Sequence, residues 1–213
     1  MAPRAASRAL EHRARSFGFV HVAGVDEVGR GCLAGPVVAA AVVLPADRRI
    51  GGLRDSKLLS AAGRERLSAE ILAHAVAYRV AVVEAPEIDR LNIHRASLRA
   101  MRDAVMALVP LPGFVLVDGF RVPDLPLPQR AVVGGDRRSS AIAAASIVAK
   151  VWRDRLMVEL HARDPRYGFD RHKGYATRDH LDAVGRFGYS PVHRRTFRPP
   201  SLFDTMQTDP PES

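Results

Sequence analysis

The feature that most narrows what this chain can become is an apolar run that ends in two adjacent carboxylates and is followed at once by a Gly-Arg-Gly turn. Residues 19–25 are largely apolar; Asp26 and Glu27 come next, then Val28, Gly29, Arg30 and Gly31, and a second apolar run begins. Desolvating a lone carboxylate is costly or forces it to take up a proton, so two together are tolerated where a cation or an arginine compensates them. The stretch therefore predicts a divalent-metal site at the end of a strand.

Residues 19–25 and 34–44 are both rich in Val and Ala and are separated by a short Gly-containing segment, which predicts an antiparallel strand pair with Pro36 near the start of the second strand. Side chains on a regular strand alternate between faces, so Asp26 and Glu27 would diverge. For both to reach one site, a bulge or turn must begin at that point, and Gly29 and Gly31 supply the freedom for it.

Further along, Ser60 is placed to cap a helix over 61–75, and residues 78–84 read as a strand ended by Pro86. Asn92 is placed to cap a helix carrying Leu98, Met101, Val105 and Leu108 on its core side. A short strand over 114–117 delivers Asp118 beside Gly119, and a fifth strand over 130–133 runs into Gly134, Gly135 and Asp136. The helix from 140 to about 162 is apolar all round in its first half and basic from Lys150 through Arg153 and Arg155, with Asp154 in a helix-surface ion pair. In residues 163–197, Arg166, Arg171, His172, Lys173 and Arg178 surround Tyr167 and Tyr175, and His193, Arg194 and Arg195 close the segment, a pattern suited to a phosphate-lined groove.

If the first, fourth and fifth strands run parallel, Asp26, Glu27, Asp118 and Asp136 meet at their carboxyl ends, where active sites of α/β sheets gather. Oxygen-only ligation selects hard cations such as Mg²⁺ or Mn²⁺ over zinc, and a pair of such ions can activate water against a phosphodiester. No Gly-x-Ser-x-Gly or Gly-Lys-Ser/Thr run competes.

Composition fits this reading. Lys and Arg number 32 against 23 Asp and Glu, a net +9 that favours a polyanionic partner. With 47% hydrophobic and 26% charged residues, disordered and fibrous classes drop out, and 213 residues suit one domain with a subdomain. The single Cys32 excludes an internal disulfide and multi-cysteine zinc sites and fits a reducing, cytoplasmic compartment. No apolar run has membrane length, and the histidines show no pair at metal-ligating helical spacing, which gives them surface or groove roles.

Taken together, the Asp-Glu-Val-Gly-Arg-Gly run, Asp55-Ser56-Lys57, Val117-Asp118-Gly119, Gly135-Asp136 with the block from Ala143 to Val151, and His172-Lys173-Gly174-Tyr175 closely resemble bacterial ribonuclease HII, in the family's order from Val20 to Phe197. The resemblance implies an α/β protein of the ribonuclease H-like fold, a five-stranded mixed sheet flanked by helices with a helical C-terminal extension. It implies an endoribonuclease, acting as a monomer in DNA replication and ribonucleotide excision repair. Its substrates would be the RNA strand of RNA–DNA hybrids and single ribonucleotides embedded in duplex DNA, cut 5′ to the ribonucleotide to leave 3′-hydroxyl and 5′-phosphate ends. Asp26, Glu27, Asp118 and Asp136 match the catalytic acids that hold two Mg²⁺ or Mn²⁺ ions. Gly29, Arg30 and Gly31 match the loop that senses the ribose 2′-hydroxyl, Tyr175 the tyrosine that stacks on the adjoining sugar, and Lys57 a phosphate-contacting lysine. Thr196 stands where the family pattern has serine. The implied organisation is a basic N-terminal arm or extra helix over 1–16, a catalytic core over 17–162, an extension over 163–197 that completes the substrate groove, and a disordered tail over 198–213. The alternatives are a catalytically silent hybrid-binding module and a nuclease of the same fold acting on DNA alone.

Overall fold

A computed structural model describes residues 6–53 and 56–197. Asp55 and the expected tail over 198–213 lie outside the described residues. One sheet organises the molecule, with strands β1 (Val22–Val28), β2 (Val37–Val43), β3 (Ala77–Val83), β4 (Phe114–Asp118) and β5 (Gln129–Val132) in the order β3-β2-β1-β4-β5. β1 and β2 form the expected antiparallel pair, β3 continues antiparallel, and β4 and β5 run parallel to β1.

Helices cover both faces, which is why every residue of β2 (Val-Val-Ala-Ala-Ala-Val-Val) is buried. Val37, Ala39, Ala41 and Val43 pack toward α4 (Ile93–Met106), which supplies Met101 and Val105. Ala40 and Val42 face the opposite way, onto α5 (Ser140–Arg163) and its Ala143, Ala144, Ile147 and Val148. α2 (Ala61–His74) lies on the same side, contributing Leu67 and Ile71. Small residues on both partners bring α5 close to the sheet. At Gly24 a Cβ would sit inside the backbone of Ala141 and Ile142, so only glycine permits this approach.

Ser60 and Asn92 cap α2 and α4 through their side chains, accepting from the amides of Gly63 and Arg95 at 3.1 Å each. Pro86 does more than end β3. It lies in the first turn of a short helix, α3 (Ala85–Leu91), where its missing N–H is no loss. The helix alternative holds for the N-terminal segment: α1 (Ala9–Ser16) packs on the edge near β5, and its Glu11 is buried, accepting from the hydroxyl of Ser139 at 2.7 Å and the amide of Ala141 at 2.8 Å. Residues 1–5 lie outside the described part.

Beyond α5 the chain forms a 3-10 turn (Pro165–Tyr167), α6 (Phe169–His172) and α7 (Arg178–Phe187). These build a separate small core in which Tyr167, Phe169 and Val184 pack on Leu33, Ala34 and Met157. Tyr167 therefore belongs to packing and not to a groove surface, a correction that follows from its 2% exposure. Among the described residues, no helix is long and apolar enough to cross a membrane.

Candidate active site

The parallel register brings the first two acids side by side. The last β1–β4 pair is Val25 with Val117, and the next residue on each strand is an acid, Asp26 or Asp118. Both lie on the face turned toward α5. The β1–β2 ladder meanwhile continues in register through Asp26, Glu27 and Val28. The bulge or turn expected at Asp26 and Glu27 is thus absent. β1 instead overhangs the end of its β4 pairing, and a strand edge left open on that side allows side chains from both faces to approach Asp118.

Asp26 is buried, and its Oδ1 accepts from the Glu27 amide at 2.8 Å. Burial holds its carboxyl well above the usual carboxylate range, the charges of Glu27 and Asp118 push it further, and a hydrogen bond from Ser146 of α5 works the other way. Burial also raises Asp118. Its Oδ1 accepts the Gly135 amide at 2.6 Å, Glu27 raises it further, and the Lys57 ammonium lowers it. Lys57 itself is exposed on a 3-10 turn (Ser56–Leu58), from which its charge is felt by Asp118. Glu27 accepts from Arg30 Nη1 at 3.1 Å, so part of the compensation for this acid comes from its own loop.

Asp136 arrives by a different route. After β5, Gly134 takes a left-handed φ of 61° and a 3-10 turn (Gly135–Arg137) folds back, leaving the Asp136 side chain 15% exposed with Arg137 Nε at 4.0 Å. The Gly135 amide that binds Asp118 ties this turn to β4. Asp26, Glu27 and Asp118 are mutually within electrostatic reach, and Asp136 directly follows Gly135, whose amide binds Asp118 at the same sheet end.

Among the described residues, no three His, Cys, Asp or Glu side chains are assembled as a ready-made metal cage. The donor chemistry nevertheless fits a hard cation. The set is all carboxylate oxygen, and a buried acid pressed by two like charges, whose hydrogen bonds leave its carboxyl well above the usual range, is strongly stabilised in its ionised form by added positive charge.

The expected recognition residues are also neighbours. The Gly174 carbonyl accepts from the amides of Leu33 at 2.8 Å and Ala34 at 3.3 Å, which sets Tyr175 against the segment that follows Gly31. Tyr175 is 43% exposed, and its hydroxyl is within hydrogen-bond reach of the Cys32 thiol; burial first, then Cys32, raises the phenol above its ordinary value.

Several residues at this site escape a reading of the sequence. Ser146 donates to Asp26 and meets Ser56 Oγ at 3.1 Å. Arg153, expected on a basic helix face, is fully enclosed, as is Arg194 of the closing basic run. His180 and His193 are likewise buried instead of lining a groove, and Asp154 makes the expected ion pair within the helix, with Lys150 at 2.6 Å, in a partly buried setting and not on an open surface. The available signal was periodicity: Ser146, Ala149 and Arg153 fall on one face of α5, the face that the acids share.

Comparison with known proteins agrees with this architecture. The family model described as Ribonuclease HII matches residues 23–199. The Ribonuclease HII of Anaeromyxobacter sp. (strain Fw109-5) is 52% identical over 204 residues, which span 93% of this chain and 65% of that relative, just under two thirds of its length. The RNase HII of Archaeoglobus fulgidus, solved as a PCNA:RNase HII complex, superposes with a TM-score of 0.72 at 26% identity, covering 86% of this chain and 99% of that one. Bst-RNase HIII, solved in complex with Mn²⁺, shares the fold with a TM-score of 0.66 at 19% identity, covering 88% of this chain and 69% of that one. With the parallel strand ends, the overhanging acids and a family match across most of its length, the chain belongs to the ribonuclease HII family, a family of ribonuclease H enzymes.

Proposed function

We propose that this protein is a divalent-metal-dependent endonuclease that hydrolyses the RNA strand of RNA–DNA hybrids and incises 5′ to single ribonucleotides embedded in duplex DNA, leaving 3′-hydroxyl and 5′-phosphate ends. The observation that carries the reading is the convergence of Asp26, Glu27 and Asp118 at the carboxyl ends of parallel strands, with Asp136 in the turn after β5 whose Gly135 amide binds Asp118. Asp26, Glu27, Asp118 and Asp136 would hold two Mg²⁺ or Mn²⁺ ions, which supply an activated water and charge stabilisation for the departing 3′-oxygen. The Mn²⁺ complex of Bst-RNase HIII supports a metal of this class.

The chain's own groups account for the rest. The Gly135 amide and the Ser146 hydroxyl bind Asp118 and Asp26 and offset part of the cost of burying their charge. Lys57, exposed beside Asp118, meets a backbone phosphate. Main-chain groups of Gly29, Arg30 and Gly31 recognise the 2′-hydroxyl, the one group that distinguishes RNA from DNA at a single nucleotide and both a donor and an acceptor. Tyr175, half exposed against that loop, stacks on the next sugar.

The test pairs an Asp26→Asn variant with three fluorescent duplexes: one embedded ribonucleotide, a continuous hybrid, and all DNA. Wild type should cut the first two in the presence of Mg²⁺ or Mn²⁺ and spare the third. Asp26→Asn should lose activity by roughly a thousandfold or more while still binding the hybrid. Near-normal cleavage by the variant refutes the acid assignment, and equal cleavage of the all-DNA duplex refutes 2′-hydroxyl sensing.

A further inference from the structure

Two arginines lie wholly inside the molecule, and their hydrogen bonds go to main-chain carbonyls of one loop and its neighbour. Arg153, on α5, donates from Nε to Pro36 O at 2.9 Å, from Nη2 to Ala34 O at 3.1 Å and from Nη1 to Lys173 O at 2.9 Å. Arg194, beyond α7, donates from Nε to Gly35 O and from Nη1 to Arg30 O, both at 3.0 Å, and its own amide binds Leu33 O at 2.9 Å. Its Nη2 is buried with no hydrogen-bond partner.

Such burial is hard to explain by stability alone. Enclosed guanidinium groups carry a desolvation cost, and apolar side chains of similar volume commonly serve a fold as well or better. What the guanidinium forks provide is orientation. Five carbonyls, from Arg30, Ala34, Gly35, Pro36 and Lys173, are all turned toward the interior. Gly29 accommodates the arrangement with a φ of +93°, and a Cβ there would collide with Arg153 Nε.

The consequence follows from peptide geometry. In a trans peptide the C=O of one residue and the N–H of the next point in opposite directions. With the Arg30 carbonyl held inward by Arg194, the Gly31 N–H must point outward. Gly31 is exposed, with nothing within 4 Å of where a side chain would begin. Arg194 also lies within electrostatic reach of Cys32, next to Gly31, and of Tyr175.

We propose that Arg194 is a positioning residue for substrate discrimination: by holding the Arg30 carbonyl it presents the Gly31 amide as a preoriented donor to the ribonucleotide sugar, and by binding the Leu33 and Gly35 carbonyls it fixes the stretch whose Leu33 and Ala34 amides hold the Gly174 carbonyl beside Tyr175. This rests on the 2′-hydroxyl-sensing reading above. A continuous hybrid offers a 2′-hydroxyl in every register and tolerates a looser loop. A single embedded ribonucleotide offers one.

The experiment uses Arg194→Met, which keeps volume but removes the donors, and Arg194→Lys, which keeps charge without the fork. On the single-ribonucleotide duplex, kcat/KM of Arg194→Met should fall about tenfold or more beyond its fall on a continuous hybrid, with Arg194→Lys between it and wild type. Independently of activity, amide hydrogen exchange of Leu33 and Gly35 in the free enzyme should accelerate about tenfold or more in both variants while the β1–β2 amides keep their protection. Equal losses on the two substrates, or unchanged exchange in the loop, overturn the proposal. If wild type itself cuts the all-DNA duplex, the sensing reading is at fault, and the exchange data still decide whether Arg194 holds the loop. If Arg194→Met fails to fold, Arg194→Lys carries both readouts.

Discussion

Two histidines illustrate how far a side chain's role can lie from its sequence surroundings. His180 and His193 share a hydrogen bond between their Nε2 atoms at 3.0 Å; His180 Nδ1 also meets the Tyr175 carbonyl at 2.8 Å, and Ser190 bonds His193 Nδ1 at 2.8 Å. Burial is the leading cause that holds both rings neutral, with pKa values lowered from 6.5 to about 4. The unfolded chain therefore takes up protons near pH 6.5 that the folded chain refuses until about 4. Stability should be fully present above pH 6.5 and decline as pH falls toward 4, by on the order of 3 kcal/mol for each histidine. Urea titrations across that range would show the slope, and a flat profile would contradict it. In the sequence these histidines sit among arginines and read as solvated. Their burial is created only when the extension docks on Leu33, Ala34 and Met157. The acids were legible for the opposite reason: each stands at an apolar run with glycine close by, and that local pattern survives without tertiary information. Arg153 and Arg194 were not, because a lone arginine in a basic run looks the same whether its fork meets water or carbonyls.

At the scale of elements, five strands and the long helix could be read from apolar runs and caps, while the ends of β1 could not. The change from apolar to charged residues suggests a stop after Val25, yet pairing with β2 carries the strand to Val28. The charges mark where β4 stops covering β1. The junction of β1 with α5 is where sequence and packing are most tightly joined. Gly24→Ala should lower stability by about 1–3 kcal/mol, because the new methyl meets backbone that cannot swing aside, and Tm should drop by several degrees. Gly51→Ala, which meets nothing within 4 Å, serves as the matched control in the same thermal melts. A Gly24→Ala variant that melts like wild type would mean that α5 can retreat from the sheet, and with it Ser146 from Asp26.

For the whole molecule, the formal charge of +9 overstates the basic surface, since Arg153 and Arg194 face inward and Arg8 and Arg15 bind the carbonyls of Pro45, Arg48 and Leu44. These four arginines bind main-chain carbonyls. The same holds in mirror image for Glu11, an acid from the N-terminal helix that binds the Ser139 hydroxyl and the Ala141 amide at the start of α5. Glu11→Ala strands those donors in a buried place and should cost about 1–3 kcal/mol in chemical denaturation; no measurable change would show the contact to be dispensable. A boundary drawn at residue 17, where composition turns from Arg-rich to apolar, separates Glu11 from the donors it binds at the start of α5. The α5 start that follows Asp136 is finished by a residue supplied from the far end of the chain. Anyone trimming the protein, or exchanging its leading segment with that of a relative, must move Glu11 and Ser139 together, as one inherited pair.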